Sequence, residues 1–242
     1  MKLSFTASQE TFRTEISEWL EARLSGEFSD IRGVTSQTAA AQRRILWEQE
    51  LGRARWSAIG WPEEYGGRAA DLAEQVIFAE EYARARAPGR LGHMGVELAG
   101  PTILAFGSND QKQRFLPSIS AGQEMWCQGY SEPGAGSDLA SLKTSARREG
   151  DSFVINGQKV WTSHADQSDW IFCLVRTSRG ERKQEGITFI LIDMATEGVT
   201  VRPIELISGA SPFCEVFFED VRVPVENVVG EVDKGWTVAK AL

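Results

Sequence analysis

Two histidines and three widely separated cysteines are too few, and too scattered, to build a metal centre in a chain of 242 residues. Cys127, Cys173 and Cys214 stand in no ligand spacing, and an odd count suits a reducing compartment, so all three read as buried thiols. Long apolar runs are missing too. The longest, residues 170–175 and 187–192, fall far short of the roughly twenty residues needed to span a bilayer, and they read as buried strands. The start, Met1 to Thr6, turns polar before an apolar signal core develops, so no export signal is expected and the expected compartment is the cytoplasm. A basic surplus is also lacking. The net charge is -8, and the pairs Arg43-Arg44 and Arg147-Arg148 are short enough to be solvated faces, which argues against a nucleic-acid surface.

With 42% apolar and 25% charged residues the chain has the composition of a folded protein, long enough for two modest domains. Up to about residue 120 the apolar period is helical. Phe12, Ile16, Trp19, Leu20 and Leu24 share one face, and Thr6 with Gln9 has capping-box spacing. Asp71 with Glu74 opens a second helix running through Arg86, with Glu80 and Arg84 in the favourable i, i+4 order and Pro88 beyond its end. Ser108 with Gln111 opens another that carries Phe115, Leu116 and Ile119, and residues 90–106 read as helical as well. After Gly122 the period changes to two. Strands are expected at 152–155, 158–163, 170–176, 187–192, 199–206 and 215–218, with Asn156-Gly157 as a hairpin turn. The fold class is therefore α+β: an α-helical domain over 1–122, a small antiparallel β-barrel or sandwich over 123–230, and the start of a helical bundle over 231–242.

The segment Tyr130-Ser131-Glu132-Pro133-Gly134-Ala135-Gly136-Ser137-Asp138 packs a proline, two glycines and several short oxygen-bearing side chains into one turn. Glycines admit positive φ and close approach of a ligand, and successive N–H groups in such a loop form an anion nest suited to a phosphate or pyrophosphate. An ordinary surface turn has the same composition. The strand Lys159-Val160-Trp161-Thr162-Ser163 follows about twenty residues later, and the two together describe a flavin pocket. Taken alone, Trp161 in an alternating strand is more often core, and Glu132 and Asp138 are better suited to hydrogen-bonding nearby N–H groups than to acid-base work.

The order of these pieces resembles the acyl-CoA dehydrogenase family. The resemblance runs through Trp61-Pro62-Glu63-Glu64-Tyr65-Gly66-Gly67, Gln111-Lys112 with Phe115-Leu116-Pro117, the Ser131-to-Asp138 loop, Ile155 to Trp161 and Gly235-Trp236. It implies FAD, and the introduction of a double bond between Cα and Cβ of an acyl-CoA with hydride passing to flavin N5. By that resemblance Ser131 meets the pyrimidine edge of the ring, Gln128 and Tyr130 line it, and Gly136 and Ser137 lie beside the pyrophosphate. Ser137 also borders the acyl-CoA channel, Trp161 packs along the flavin face, and Thr162 and Ser163 approach the N5 side. His164 stands where many relatives have Asn. The wording Trp126-Cys127-Gln128-Gly129-Tyr130-Ser131 looks like a bacterial branch acting on bulky, branched or sterol-derived acyl-CoAs, some of them two-gene heteromers. The catalytic base is expected in the family's C-terminal domain, outside these residues, so no catalytic residue is assigned here. An electron-transfer flavoprotein is the implied acceptor and a homo- or hetero-oligomer the implied assembly. Two alternatives stand beside this reading: a non-catalytic flavin- or acyl-CoA-binding subunit, and an oxygen-using relative such as an acyl-CoA oxidase or an acyl-CoA dehydrogenase-like monooxygenase.

Overall fold

The computed structural model describes residues 4–36 and 39–241. By its internal contacts the chain divides into two compact units, one holding residues up to Leu91 together with Ser120–Gln123, the other Gly92–Ile119 and Glu124 onward.

In the first unit, helix α1 (Ala7–Leu24) opens on the expected capping box and buries Phe12, Ile16, Leu20 and Leu24. Helices α2 (Ala41–Arg53) and α3 (Leu72–Arg84) complete it, and the Asp71–Glu74 capping box is formed at the head of α3. Trp47 and Trp56 fill the core between them, and the Trp47 indole donates to the Tyr82 hydroxyl at 2.8 Å, which satisfies the one polar atom that burial of the ring would orphan. Two readings are corrected. Arg44 is no solvated residue: it is buried, donating to the Gly89 carbonyl at 2.9 Å and the Ser36 carbonyl at 3.0 Å, while Arg43 beside it pairs with Asp30. Arg84 pairs with Glu81 at 2.6 Å rather than with Glu80, and Arg13 of α1 reaches across to both acids, Glu81 at 2.5 Å and Glu80 at 2.9 Å.

In the second unit, Ser108 and Gln111 exchange main-chain and side-chain hydrogen bonds at the head of α5 (Asn109–Ser120). The helix expected over 90–106 is split. A π-helical turn, Met94–Ala99, leads into α4 (Gly100–Phe106). Gly95 sits in that turn where a Cβ would come within 3.1 Å of Ile119 and 3.3 Å of Trp126, so the close approach needs glycine.

The rest of this unit is a curled, mixed, seven-stranded sheet. Its strands are β1 (Trp126–Gly129), β2 (Ser145–Glu149), β3 (Ser152–Ser163), β4 (Trp170–Arg176), β5 (Ile187–Asp193), β6 (Val199–Ile204) and β7 (Phe213–Pro224). The order is β1-β4-β2-β3-β7-β6, with β5 on the other edge of β4. An all-antiparallel sheet was expected, but β1 runs parallel to β4 in the register Trp126↔Trp170 to Gly129↔Cys173. Ile171, Cys173, Ile190, Ile192, Val216 and Phe218 form part of its apolar interior, where Cys127, Cys173 and Cys214 are buried as free thiols.

Asn156-Gly157 is not a hairpin turn. β3 runs straight through it, and the register against β7 shifts there as a bulge, with Gly157 at φ +152°. The Asn156 side chain is used across the sheet, donating to Asp220 Oδ1 at 2.9 Å and accepting from the Asp220 N–H at 3.0 Å. The true turn is Gly150-Asp151, between the paired residues Glu149 and Ser152. Finally, α6 (Gly235–Ala239) lies within the stretch 231–242 expected to turn helical, beginning four residues later than its start. Among the described residues no helix is long and apolar enough to cross a membrane.

Candidate functional site

The loop after β1 is built on a buried ion pair. Pro133 and Gly134 turn the chain so that Glu132 and Ala135 exchange N–H···O bonds of 3.1 and 3.0 Å. The Glu132 carboxylate faces back into the protein, accepting from the N–H groups of Lys143 at 2.6 Å and Thr144 at 2.9 Å and from Lys159 Nζ at 2.8 Å. Lys159 is fully buried and donates a second bond to the Tyr130 carbonyl at 3.2 Å. Burial pushes the Glu132 carboxyl up, but the Lys159 charge and the donors around it outweigh burial and hold it below the usual carboxylate range. Next along the strand, the Val160 N–H donates to the Ser131 carbonyl at 2.9 Å. Ser131 is thereby tied to the residue that precedes Trp161.

Trp161 is 57% exposed, which excludes the core reading. Alternation puts it on the same side as Lys159, yet the register against β7 slips between Lys159 and Thr162, and this bulge turns the indole outward. Its φ is +61°, a left-handed conformation that a bulky side chain adopts only where its surroundings impose it. Phe213 meets the indole edge-on at 6.1 Å. Thr162 is buried opposite Cys214, whereas Ser163 is half-buried. His164 has φ +55°, and its N–H donates to the Pro212 carbonyl at 3.0 Å. Tyr130 packs its ring edge-on against Phe172 and Phe189, and burial raises the pKa of its hydroxyl.

Gly134 and Gly136 do not have positive φ, so the conformational reason expected for them fails. They have another. A Cβ on either would meet nothing within 4 Å, which leaves their main chain open to close approach from outside. Ser137 is exposed beside them, and Asp138 is held below the usual carboxylate range by hydrogen bonds from Lys183 at 2.6 Å and Ser141 at 2.5 Å. Next to this end of the loop is a cleft of about 700 Å³ lined in part by Lys143, Arg176, Arg179, Arg182, Lys183 and Glu181, with Lys183 paired to Asp138 at 2.6 Å and Arg182 to Glu185 at 3.0 Å. It is a cationic patch in a chain of net charge -8. A larger cleft of about 820 Å³, at Phe106, Phe115 and Trp170, shares no residue with the loop. An outward indole, hydroxyls on Ser131 and Ser163, and an open glycine main chain next to cations fit a flavin dinucleotide.

The N-terminal domain of acyl-CoA dehydrogenases matches residues 6–123, and the middle domain of acyl-CoA dehydrogenases matches residues 127–221. The chain belongs to the acyl-CoA dehydrogenase family. It is 48% identical over 235 residues to the acyl-CoA dehydrogenase IpdE1 of Mycobacterium tuberculosis, covering 96% of this chain and 61% of that protein. Among solved structures it is similar to the Tcur3481-Tcur3483 steroid ACAD, with TM-score 0.86, 35% identity, and coverage of 99% of this chain and 61% of the other. The ChsE4-ChsE5 complex from Mycobacterium tuberculosis gives TM-score 0.85 and 37% identity, covering 100% of this chain and 60% of the other. The chain thus spans about 61% of the length of the acyl-CoA dehydrogenase IpdE1.

Sequence reasoning missed Lys159 and the cationic cleft. A signal for Lys159 existed: a lysine at an inward position of a strand needs a buried counter-ion, and Glu132 is one of the two acids of the adjoining loop. Four of the cleft's cations lie within the eight residues 176–183, a local basic run, and folding adds Lys143.

Proposed function

We propose that this chain carries the FAD-binding face of a cytoplasmic acyl-CoA dehydrogenase, which introduces a Cα–Cβ double bond into an acyl-CoA thioester. The observation that carries this reading is Trp161, exposed on strained backbone and set against the 130–138 loop with its two open glycines. Residues 1–122 are the helical domain, 123–230 the flavin-binding β domain and 231–242 the start of a helical bundle. FAD, when bound, supplies the acceptor for the β hydrogen as hydride. The chain's own residues hold and orient it. Ser131 and Ser163 direct hydroxyls at the ring edge and N5 side, where charge gathers on reduction. Gln128, Tyr130 and Thr162 line the ring, Trp161 covers its face, and Gly136 and Ser137 approach the pyrophosphate.

Neither acid of the loop serves as the base that removes the α proton. Glu132 is committed to Lys159 and two main-chain N–H groups, and Asp138 to Lys183 and Ser141. The base belongs to the part of the family's length beyond these residues. Ser137 and the cationic cleft take the phosphate-bearing head of acyl-CoA. The similarity to proteins named as a steroid ACAD and as a two-protein complex supports a bulky, sterol-derived acyl group and a hetero-oligomer. It equally favours a second reading, a flavin- or acyl-CoA-binding subunit whose active site a partner completes. An electron-transfer flavoprotein reoxidises the enzyme.

The test is an anaerobic titration of the complete gene product, reconstituted with FAD, against straight-chain, branched and sterol-derived acyl-CoAs. Bleaching of flavin absorbance, fastest with sterol-derived thioesters, is expected. Bleaching only after a partner subunit is added selects the second reading, fast reoxidation of the reduced protein in air selects an oxygen-using relative, and failure to retain FAD overturns the proposal.

A further inference from the structure

The only fully buried lysine among the described residues, Lys159, has no part in the chemistry above, yet it touches the cofactor loop at two points. We infer that Lys159, acting through Glu132 and the Tyr130 carbonyl, is a positioning residue that sets where the Ser131 hydroxyl stands. This rests on the reading of Ser131 as a flavin contact.

Three segments converge on this pair. β3 contributes Lys159 itself, the cofactor loop contributes Glu132 and the Tyr130 carbonyl, and the approach to β2 contributes the N–H groups of Lys143 and Thr144. Ser131 lies between the two loop residues that Lys159 holds, and its own carbonyl takes the N–H of Val160, the next residue of the strand. The segment is therefore held at three points, the Tyr130 and Ser131 carbonyls and the Glu132 carboxylate, by two consecutive residues of β3. Polar burial of this kind is costly unless every atom is satisfied, and here each carboxylate oxygen has a donor. The loop's turn at Pro133-Gly134 needs no such pair to close, since its own Glu132–Ala135 bonds do that. What the pair adds is a fixed distance between the turn and the strand carrying Trp161. A hydroxyl that must meet one edge of a ring held against Trp161 requires that distance to be held.

The test is a double-mutant cycle read on the flavin. In the FAD-loaded complete protein, the reduction potential and visible absorption bands are measured for wild type, Ser131→Ala, Lys159→Met and the double variant. Ser131→Ala is expected to shift the potential in the wild-type background and to shift it far less, or not at all, in the Lys159→Met background. Glu132→Asp, which keeps the charge but shortens its reach, is expected to show the same loss of coupling, and it replaces Lys159→Met should that variant not fold. Apo-protein melting is recorded alongside. Fully additive shifts, or lowered melting with the potential and spectrum of Lys159→Met or Glu132→Asp unchanged, make the pair a stability element alone and overturn the inference. No shift from Ser131→Ala in the wild-type background instead removes the Ser131 contact on which it rests.

Discussion

Gly136→Ala separates a ligand-driven glycine from a structural one, because the two predict opposite signs. Gly136 is not in the positive-φ region, and a Cβ there meets no protein atom within 4 Å. Where the native conformation admits alanine, Gly→Ala stabilises by about 0.4–1 kcal/mol, chiefly by restricting the unfolded chain. For a chain of 242 residues that corresponds to a rise of roughly 1–4 °C in the apo-protein's Tm. Binding moves the other way. If the pyrophosphate of FAD lies against the main chain at 136, the added methyl overpacks the contact by about 1–3 kcal/mol, a five- to more than hundredfold rise in Kd. The control is Gly67→Ala, whose Cβ would fall 1.9 Å from the Trp61 carbonyl oxygen and must lower Tm. Apo-protein melting by circular dichroism and FAD titration by flavin fluorescence read both quantities. A lower apo Tm for Gly136→Ala makes the glycine structural, and an unchanged Kd removes the cofactor from its main chain; either result refutes the reasoning.

Trp161→Ala is expected to lower FAD occupancy, measured by absorbance, while costing the apo-protein less stability than the roughly 3–5 kcal/mol of a buried Trp→Ala change, since the indole is 57% exposed and its backbone is strained. Equal loss at Trp161 and at the buried Trp126 would contradict this. Glu132→Gln breaks a buried ion pair and is expected to cost about 3–5 kcal/mol at neutral pH in urea unfolding. Because the folded Glu132 carboxyl titrates below its unfolded range, its contribution is present above about pH 4.3 and is lost as pH falls through the folded value. The variant should therefore show a flatter decline of stability below about pH 4; an unchanged acid limb would count against the pairing.

What was legible in the sequence was whatever depends on local spacing. The capping boxes at Thr6, Asp71 and Ser108 are short-range exchanges between residues three apart, and all three are formed. Strand β2 was not legible because only Ala146 of Ser145–Glu149 is buried, leaving a serine and three charged residues on the remaining positions. Without β2, its true partner turn at Gly150-Asp151 could not be seen, and Asn156-Gly157 took its place. Arg44 was misread for a related reason: a charged pair reads as solvated until a remote carbonyl such as that of Gly89 claims one member. For Trp161, strand parity alone favours the core, and it is the bulge between Lys159 and Thr162 that turns it outward. The loop composition was legible, but the reason for its glycines lay in the space outside them.

The Val160 N–H to Ser131 carbonyl bond gives the protein a clock for its own cofactor loop. An amide exchanges its hydrogen with solvent only when its acceptor departs, and this acceptor belongs to the loop, whereas amides of β3 that pair with β7 wait for the sheet to part. Exchange at Val160 therefore times the detachment of the loop separately from unfolding of the sheet. Any ligand that fastens residues 130–138 must slow that one hydrogen before it slows its neighbours.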